Sequence, residues 1–254
     1  MAKLNIFMNI YEEFPHIEHS IKSAAKIAKK FYILDGTVKL FPAKPDYNSY
    51  AEVASSRDGT LELVKELLKK LGAGYSIYES TYIWESEHLK KNWLLDKIPE
   101  GEWVLQLDGD EQLYLTNEAL ALLQRMDDLK EETFDVPIIF HADASFKEPS
   151  RIAFLQPRIW RNSRNRRFRP PSKEQLVRIG SYSSLPVDPE VKRPVDPVSF
   201  SGEQELLKRG GGLLYYGSRA IFPLFIFNNP AIRNVERQKR RLIYYERLFG
   251  IKFL

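Results

Sequence analysis

The chain has 254 residues, 43% of them hydrophobic and 28% charged, a composition that supports a sizeable core and excludes a disordered chain. It contains no cysteine, which rules out disulfides and thiolate metal sites and leaves oxygen or imidazole ligands for any bound cation. The net charge is only +4, yet acidic residues lie mostly before residue 140 and arginines mostly after 150, so the C-terminal half is expected to attract anions.

Residues 3–10 read as a strand. Ile17, Ile21, Ala24, Ala28 and Phe31 follow at helical spacing, and a second apolar strand runs from Phe31 to Leu34. This β-α-β unit ends at Asp35-Gly36-Thr37, which puts a carboxylate at a strand's C-terminal end. Met1 to Ile10 lacks the basic stretch, apolar core and cleavage site of a secretory signal.

The polar, proline-containing stretch from Val38 to Ser55 reads as a loop or inserted lobe. Ser56-Arg57-Asp58-Gly59-Thr60 then opens a helix with Leu61, Val64, Leu68 and Leu71 on one face, stopped by Gly72 and Gly74. A strand at Tyr75 to Tyr78, a helix at Glu87 to Leu95 and a strand at Trp103 to Leu107 complete an alternating pattern that predicts a mostly parallel sheet. Thr116 is placed to cap a helix ending near Leu129, and strands follow at Phe134 to Phe140 and Phe154 to Trp160.

Prolines 186, 189, 194 and 197 mark an extended loop over the site. The apolar neighbourhood of Ile221 to Phe227 falls far short of the roughly 20 residues needed to span a bilayer. A basic helix is expected from Ala231 to Phe249, carrying Arg233, Arg237, Lys239, Arg240, Arg241 and Arg247. It could dock on the domain, lie on an anionic bilayer or pair with another subunit, docking being the plainest choice. The expected location is the cytoplasm, with the inner face of the membrane as a peripheral alternative; the oligomeric state is not legible.

Ligands of open α/β sheets bind beyond the carboxyl ends of the strands, where Asp35 and Asp108-Gly109-Asp110-Glu111 both fall. Two carboxylates separated by glycine can approach a divalent cation closely, and the glycine leaves room for a diphosphate. The plainer alternative is a solvated turn, since Asp-Gly pairs are common in turns.

In order along the chain stand Asn9-Ile10-Tyr11-Glu12-Glu13 after the first strand, Asp35 at the end of the second, Ser56 to Thr60 opening a helix, Lys91-Asn92, and Gly101 to Glu111. This series resembles the family 2 type of glycosyltransferases with the GT-A fold. The resemblance implies a Rossmann-like, mostly parallel central sheet flanked by helices. A catalytic domain would span 1–217, with a nucleotide-sugar half at 1–115 and an acceptor half at 116–217, and a basic helical extension would occupy 218–254. It further implies that a UDP- or GDP-sugar contacts Glu12, Asp35, Asp58, Lys91, Asn92, Asp108, Gly109 and Asp110. Mn²⁺ or Mg²⁺ would be held by Asp108 and Asp110, with Asp110 the direct ligand. Asp58 reads equally well as a helix-capping residue.

The second half follows the family less closely. Pro157 to Arg161, Arg167-Phe168 and Lys173-Glu174-Gln175-Leu176 match a segment that usually ends in His-Glu, and Leu214-Tyr215-Tyr216-Gly217 stands where His-Tyr-Gly is expected. Both histidines are absent, so either water or a carboxylate completes the metal sphere, or metal binding is weakened. An inverting transfer needs a general base, for which Glu174 is the first choice by position, with Glu203 and Glu205 competing. The plainer reading of each is a solvated glutamate.

Residues 158–178 hold eight basic side chains against one glutamate. Arg158, Arg161 and Arg167 are therefore expected to bind phosphate, from the donor, from a lipid-linked or glycan acceptor, or from an acidic membrane surface. The plainer reading is a solvated loop. Two other classes compete. One is an Mg-dependent phosphohydrolase in which Asp108 is the nucleophile. The other is a nucleic-acid-binding protein that uses the arginine stripe and is indifferent to Asp110→Ala; it leaves the acidic strand end unexplained, and no nucleic acid is expected.

Overall fold

The computed structural model describes residues 4–39, 53–141, 149–169, 184–187, 198–200, 207–208, 214–216, 219–222 and 224–228. In chain order, β1 (Leu4–Ile10), α1 (Ile17–Ala24), β2 (Ala28–Asp35), α2 (Thr60–Lys70), β3 (Tyr75–Glu79), α3 (Glu87–Leu95) and β4 (Trp103–Gln106) alternate as the sequence predicts. After them come β5 (Glu111–Leu115), α4 (Asn117–Leu123), a 3₁₀ turn (Met126–Asp128), β6 (Thr133–His141) and β7 (Pro149–Arg161). Shorter strands complete the described chain: β8 (Arg167–Arg169), β9 (Ser184–Val187), β10 (Val198–Phe200), β11 (Leu207–Lys208), β12 (Leu214–Tyr216), β13 (Arg219–Ile221) and β14 (Leu224–Asn228).

The strands β3-β2-β1-β4 lie side by side and run parallel. The chain winds outward from β1 to β3 and then returns to the other side of β1, so the winding reverses between β1 and β4. Alternation within β1 shows how both faces are covered. Leu4, Ile6, Met8 and Ile10 pack with Ile17, Ile21 and Ala24 of α1 and Val64, Leu67 and Leu68 of α2, whereas Phe7 packs with Leu94 and Leu95 of α3. The expected α/β sheet flanked by helices is therefore what the chain forms.

Beyond β4 the sheet becomes mixed. β7 pairs antiparallel with both β4 and β6, so the two expected halves of the chain share one sheet of twelve strands among the described residues. Thr116 caps α4 as expected, its hydroxyl accepting from the Ala119 N–H at 3.0 Å.

Several expectations change. The helical spacing through Ala28 and Phe31 overruns α1, which stops at Ala24 because β2 already begins at Ala28. Strand β5 was not expected. It forms because Glu111–Leu115 finds β14 as an antiparallel partner, from Asn228↔Glu111 to Leu224↔Leu115. The division expected after residue 217 does not end the sheet, since β13 and β14 both pair with β6. The helix expected at 231–249 lies outside the described residues, as do most of the loops expected at 38–55 and 186–197. Among the described residues no helix is long and apolar enough to cross a membrane.

Candidate active site at the carboxyl ends of β1 and β4

Where the winding of an open α/β sheet reverses, the crossovers diverge and leave a crevice outside the carboxyl ends of the strands. Here that crevice is bounded by the β1–α1 turn, residues 11–16, and the β4–β5 turn, residues 107–110. The Ser56-to-Thr60 element builds the first wall. Three successive backbone N–H groups donate to it: Glu12 to the Ser56 hydroxyl at 2.7 Å, Glu13 to the Thr60 hydroxyl at 2.9 Å and Phe14 to Asp58 Oδ2 at 3.2 Å. These bonds hold Glu12 at φ +52, a left-handed conformation uncommon outside glycine.

Asp58 also accepts from the Thr60 N–H and hydroxyl, at 3.1 and 2.6 Å, so it meets the first N–H of α2 from just before the helix rather than from inside it. Asp35 is fully buried. Its Oδ2 accepts from the Ser56 N–H at 2.8 Å and its Oδ1 from the Ser56 hydroxyl at 2.6 Å, so the side chain ties the start of the Ser56 element to β2. Burial pushes the Asp35 pKa up, opposed by the Ser56 hydrogen bonds and by the charge of Lys90. Lys90 is itself buried and donates to the carbonyls of Ile10, at 3.2 Å, and Gly36, joining the ends of β1 and β2.

The second wall is a turn closed on itself. The Glu111 N–H donates to the Asp108 carbonyl at 3.1 Å, and the Asp108 N–H donates to Glu111 Oε2 at 2.8 Å. From β7, Arg158 donates to Glu111 Oε1 at 2.7 Å and reaches Asp108 Oδ2 at 3.4 Å. The Asp108 side chain keeps 40% of its surface exposed while Arg158 and Glu111 are buried. Partial burial works against the Asp108 charge, but Arg158, Lys91 and the Gln106 amide outweigh it and hold its pKa below the usual carboxylate range. Burial pushes Glu111 the other way, up to about 8. Arg158 opposes that rise, and the charges of Asp108 and Asp110 add to it. Asp110 is partly exposed, and its charge is felt by His16, whose pKa is lowered by burial and raised back in part by Asp110.

Gly109 joins the two walls. Ser20 donates to its carbonyl at 2.7 Å, and a Cβ added there would lie 2.5 Å from the Glu13 Cγ. The expectation that this glycine clears space for a diphosphate is thus corrected in part, because the space a side chain would take is filled by Glu13.

The remaining expected residues separate. Lys91 is buried against Glu87, at 2.5 Å, and over the Phe168 ring, and its charge acts on Asp108. Asn92 uses both ends of its amide on the Phe168 backbone, each at 2.8 Å, so it anchors β8 where a donor contact was expected. Of the three phosphate-binding arginines proposed, only Arg158 reaches the crevice. Arg161 pairs with Asp127 and covers Trp103 at the start of β4, and Arg167 pairs with Asp96 just beyond the end of α3, both at the opposite edge of the sheet. Arg164 and Arg166 likewise meet Glu100 and Glu132. Arg161, Arg164, Arg166 and Arg167 each have a carboxylate partner from earlier in the chain. Glu174, Glu203 and Glu205 lie outside the described residues.

Sequence reading missed Ser56 as the partner of Asp35, Lys90 as the clasp between β1 and β2, and Glu13 as the packing partner of Gly109. Lys90 left no separate signal beside Lys91, and the Glu13 contact is set by tertiary approach. Asn9 and Gln106 were also missed, and their signal was present: each is a polar residue near the carboxyl end of a largely apolar strand.

No family model and no curated protein matches the chain. Among solved structures it is similar to S. aureus TarS 1-349 in complex with UDP-GlcNAc, with a TM-score of 0.41 and 18% identity over 57% of this chain and 38% of that one. It is also similar to TarS 1-349 in complex with UDP, with a TM-score of 0.41 and 17% identity over 57% and 40%. The chain therefore spans about two fifths of the proteins it matches.

Proposed function

We propose that the chain is a metal-dependent glycosyltransferase that takes a UDP- or GDP-sugar at the crevice between β1 and β4 and passes the sugar, with inversion, to a glycan, lipid-linked or protein acceptor. The observation that supports this most directly is the location of Asp108 and Asp110, both partly exposed, at the point where the winding of the sheet reverses.

The donor set suits a hard cation. Among the described residues no group of three or more His, Asp or Glu side chains could hold an ion, so among them the candidate ligands are the two carboxylates of Asp108 and Asp110. Mg²⁺ in phosphate-handling sites is commonly held by one or two carboxylates together with substrate phosphates and water, and Mn²⁺ accepts the same oxygen ligands. Asp110 and Asp108 would hold the ion, with Arg158 keeping Asp108 ionised. When bound, it would neutralise the charge that develops on the departing nucleoside diphosphate. Glu174 is proposed, on sequence position alone and ahead of Glu203 and Glu205, as the base that removes the acceptor proton.

Thermal unfolding in the presence of UDP, GDP and their sugars, with and without Mn²⁺ or Mg²⁺, tests the reading. A ligand at about 100 times its dissociation constant should stabilise the fold by roughly 2.7 kcal/mol. This gain should require the cation and should be lost in Asp110→Asn. Cation-independent binding, or binding unchanged in Asp110→Asn, would defeat the proposal.

A further inference from the structure

Parallel pairing aligns Phe7 of β1 with Gln106 of β4, and alternate residues of a strand share a face. Asn9 and Gln106 therefore lie on the α3 side of the sheet, at the carboxyl ends of the two strands that bound the crevice. Lower on the same face, Phe7, Val104, Trp160 and Phe168 form an apolar layer. At Asn9 and Gln106 this layer gives way to amides. Nδ2 and Oδ1 of Asn9 and Oε1 of Gln106 are buried without a hydrogen-bond partner among the described residues. The Gln106 Nε2 donates to Asp108 Oδ1 at 3.3 Å, so this amide touches the carboxylate site directly.

Unpaired buried polar atoms are costly, and apolar side chains of the same shape would remove the cost. The chemistry of the three atoms restricts what could satisfy them. Two carbonyl oxygens repel phosphate, and the Asn9 NH₂ group repels a metal ion, so the complementary group is uncharged. It must donate to two oxygens and accept from one nitrogen. A pair of ring hydroxyls does both, because each hydroxyl is donor and acceptor at once.

We infer that Asn9 and Gln106 form a hydroxyl-reading subsite for the nucleotide-sugar, taking a vicinal diol either of its ribose or of the sugar to be transferred. The inference rests on the donor reading above and adds to it two side chains, one in the Asn9 to Glu13 stretch and one in the Gly101 to Glu111 stretch, to which that reading assigned no role.

The test compares Asn9→Leu with the parent chain by calorimetric titration with Mn²⁺ and UDP, GDP, their 2′-deoxy counterparts and their hexose conjugates, alongside the Tm without ligand. The assignment predicts an unliganded Tm equal to or above that of the parent and an affinity about tenfold weaker. If the ribose supplies the diol, the loss appears with the nucleoside diphosphate and disappears with its 2′-deoxy counterpart. If the transferred sugar supplies it, the loss appears with the hexose conjugate alone. Gln106→Leu, titrated in the same way, reports on the second amide should Asn9→Leu fail to fold. Unchanged affinity for every ligand, an equal loss on 2′-deoxy nucleotides without sugar, or a lowered unliganded Tm in folded variants each overturns the assignment. A parent chain that binds none of these ligands overturns the donor reading itself.

Discussion

The Arg158 guanidinium lies 2.7 Å from Glu111 Oε1, and both side chains are buried. Losing either partner leaves the other buried without its hydrogen bond: the guanidinium keeps its charge, while Glu111, with its pKa pushed up to about 8, keeps its proton at neutral pH. Arg158→Met should therefore destabilise the fold by about 1–3 kcal/mol, the cost of an unsatisfied buried polar group. The double variant Arg158→Met/Glu111→Leu should recover most of that loss. Urea midpoints of the parent, both single variants and the double variant measure the coupling. A double variant that merely sums the two single losses would show that the pair does not act as a unit.

Glu111 also predicts a pH dependence. Its pKa in the folded chain is pushed up to about 8, against an ordinary value of 4.5. Between those two values the folded state holds a proton that the unfolded state has released, so stability falls as pH rises from about 5 to 8. Asp35 is shifted in the same direction, while His16 and His88, lowered by burial, act in the opposite sense near the ordinary imidazole pKa. The contribution of Glu111 is isolated by difference. Relative to Glu111→Gln, which cannot titrate, the parent should lose Tm steadily across this range, and parallel curves would refute the assignment.

The parallel half of the fold could be read from the sequence because each of its elements is a local pattern. Glu87 to Leu95 is a helix over the residues that its spacing indicated, and Thr116 caps where its position before an apolar run suggested. β5 could not be read, because an acidic turn followed by Leu113 and Leu115 becomes a strand only when β14, more than a hundred residues later, pairs with it. The arginines misled for the same reason. Asp96, Glu100, Asp127 and Glu132, which neutralise them, are distant in sequence and adjacent only in the fold. Of the expected site, Asp108 and Asp110 stand in the crevice, while Asp35, Asp58 and Asn92 turn their polar atoms to the backbone and side chains that shape it.

Gly109 offers a steric test of how the two turns meet. A methyl group there would come 2.5 Å from Glu13 Cγ and 2.9 Å from its Cδ, closer than non-bonded carbons approach. Gly109→Ala should cost about 1–3 kcal/mol, the usual range for overpacking, and should weaken cation-assisted nucleotide binding by moving Asp108 and Asp110. Adding Glu13→Ala removes both of those contacts and should restore most of the stability. If Glu13→Ala brings no relief in the Gly109→Ala background, Glu13 is not what confines the turn.

Ser56 carries the last prediction, because a single hydroxyl there joins the turn after β1 to the end of β2. It accepts the N–H of Glu12, which sits in the left-handed region, and donates to the buried carboxylate of Asp35. Ser56→Ala leaves the Ser56 backbone bond to Asp35 intact but removes these two, at a cost of about 2 kcal/mol. The cost should depend on pH. Without the hydroxyl donor the Asp35 carboxylate loses part of what offsets its burial, so its pKa rises further and the folded variant keeps its proton to higher pH. A group raised in this way contributes stability that is complete below the ordinary carboxylate pKa and is lost as pH climbs through the raised value. The difference between Ser56→Ala and the parent should therefore be smallest near pH 4 and grow toward neutrality, which chemical denaturation at a series of pH values can follow. A pH-independent difference would mean that the hydroxyl matters only to Glu12, and Asp35→Asn in the Ser56→Ala background would then leave the remaining loss unchanged.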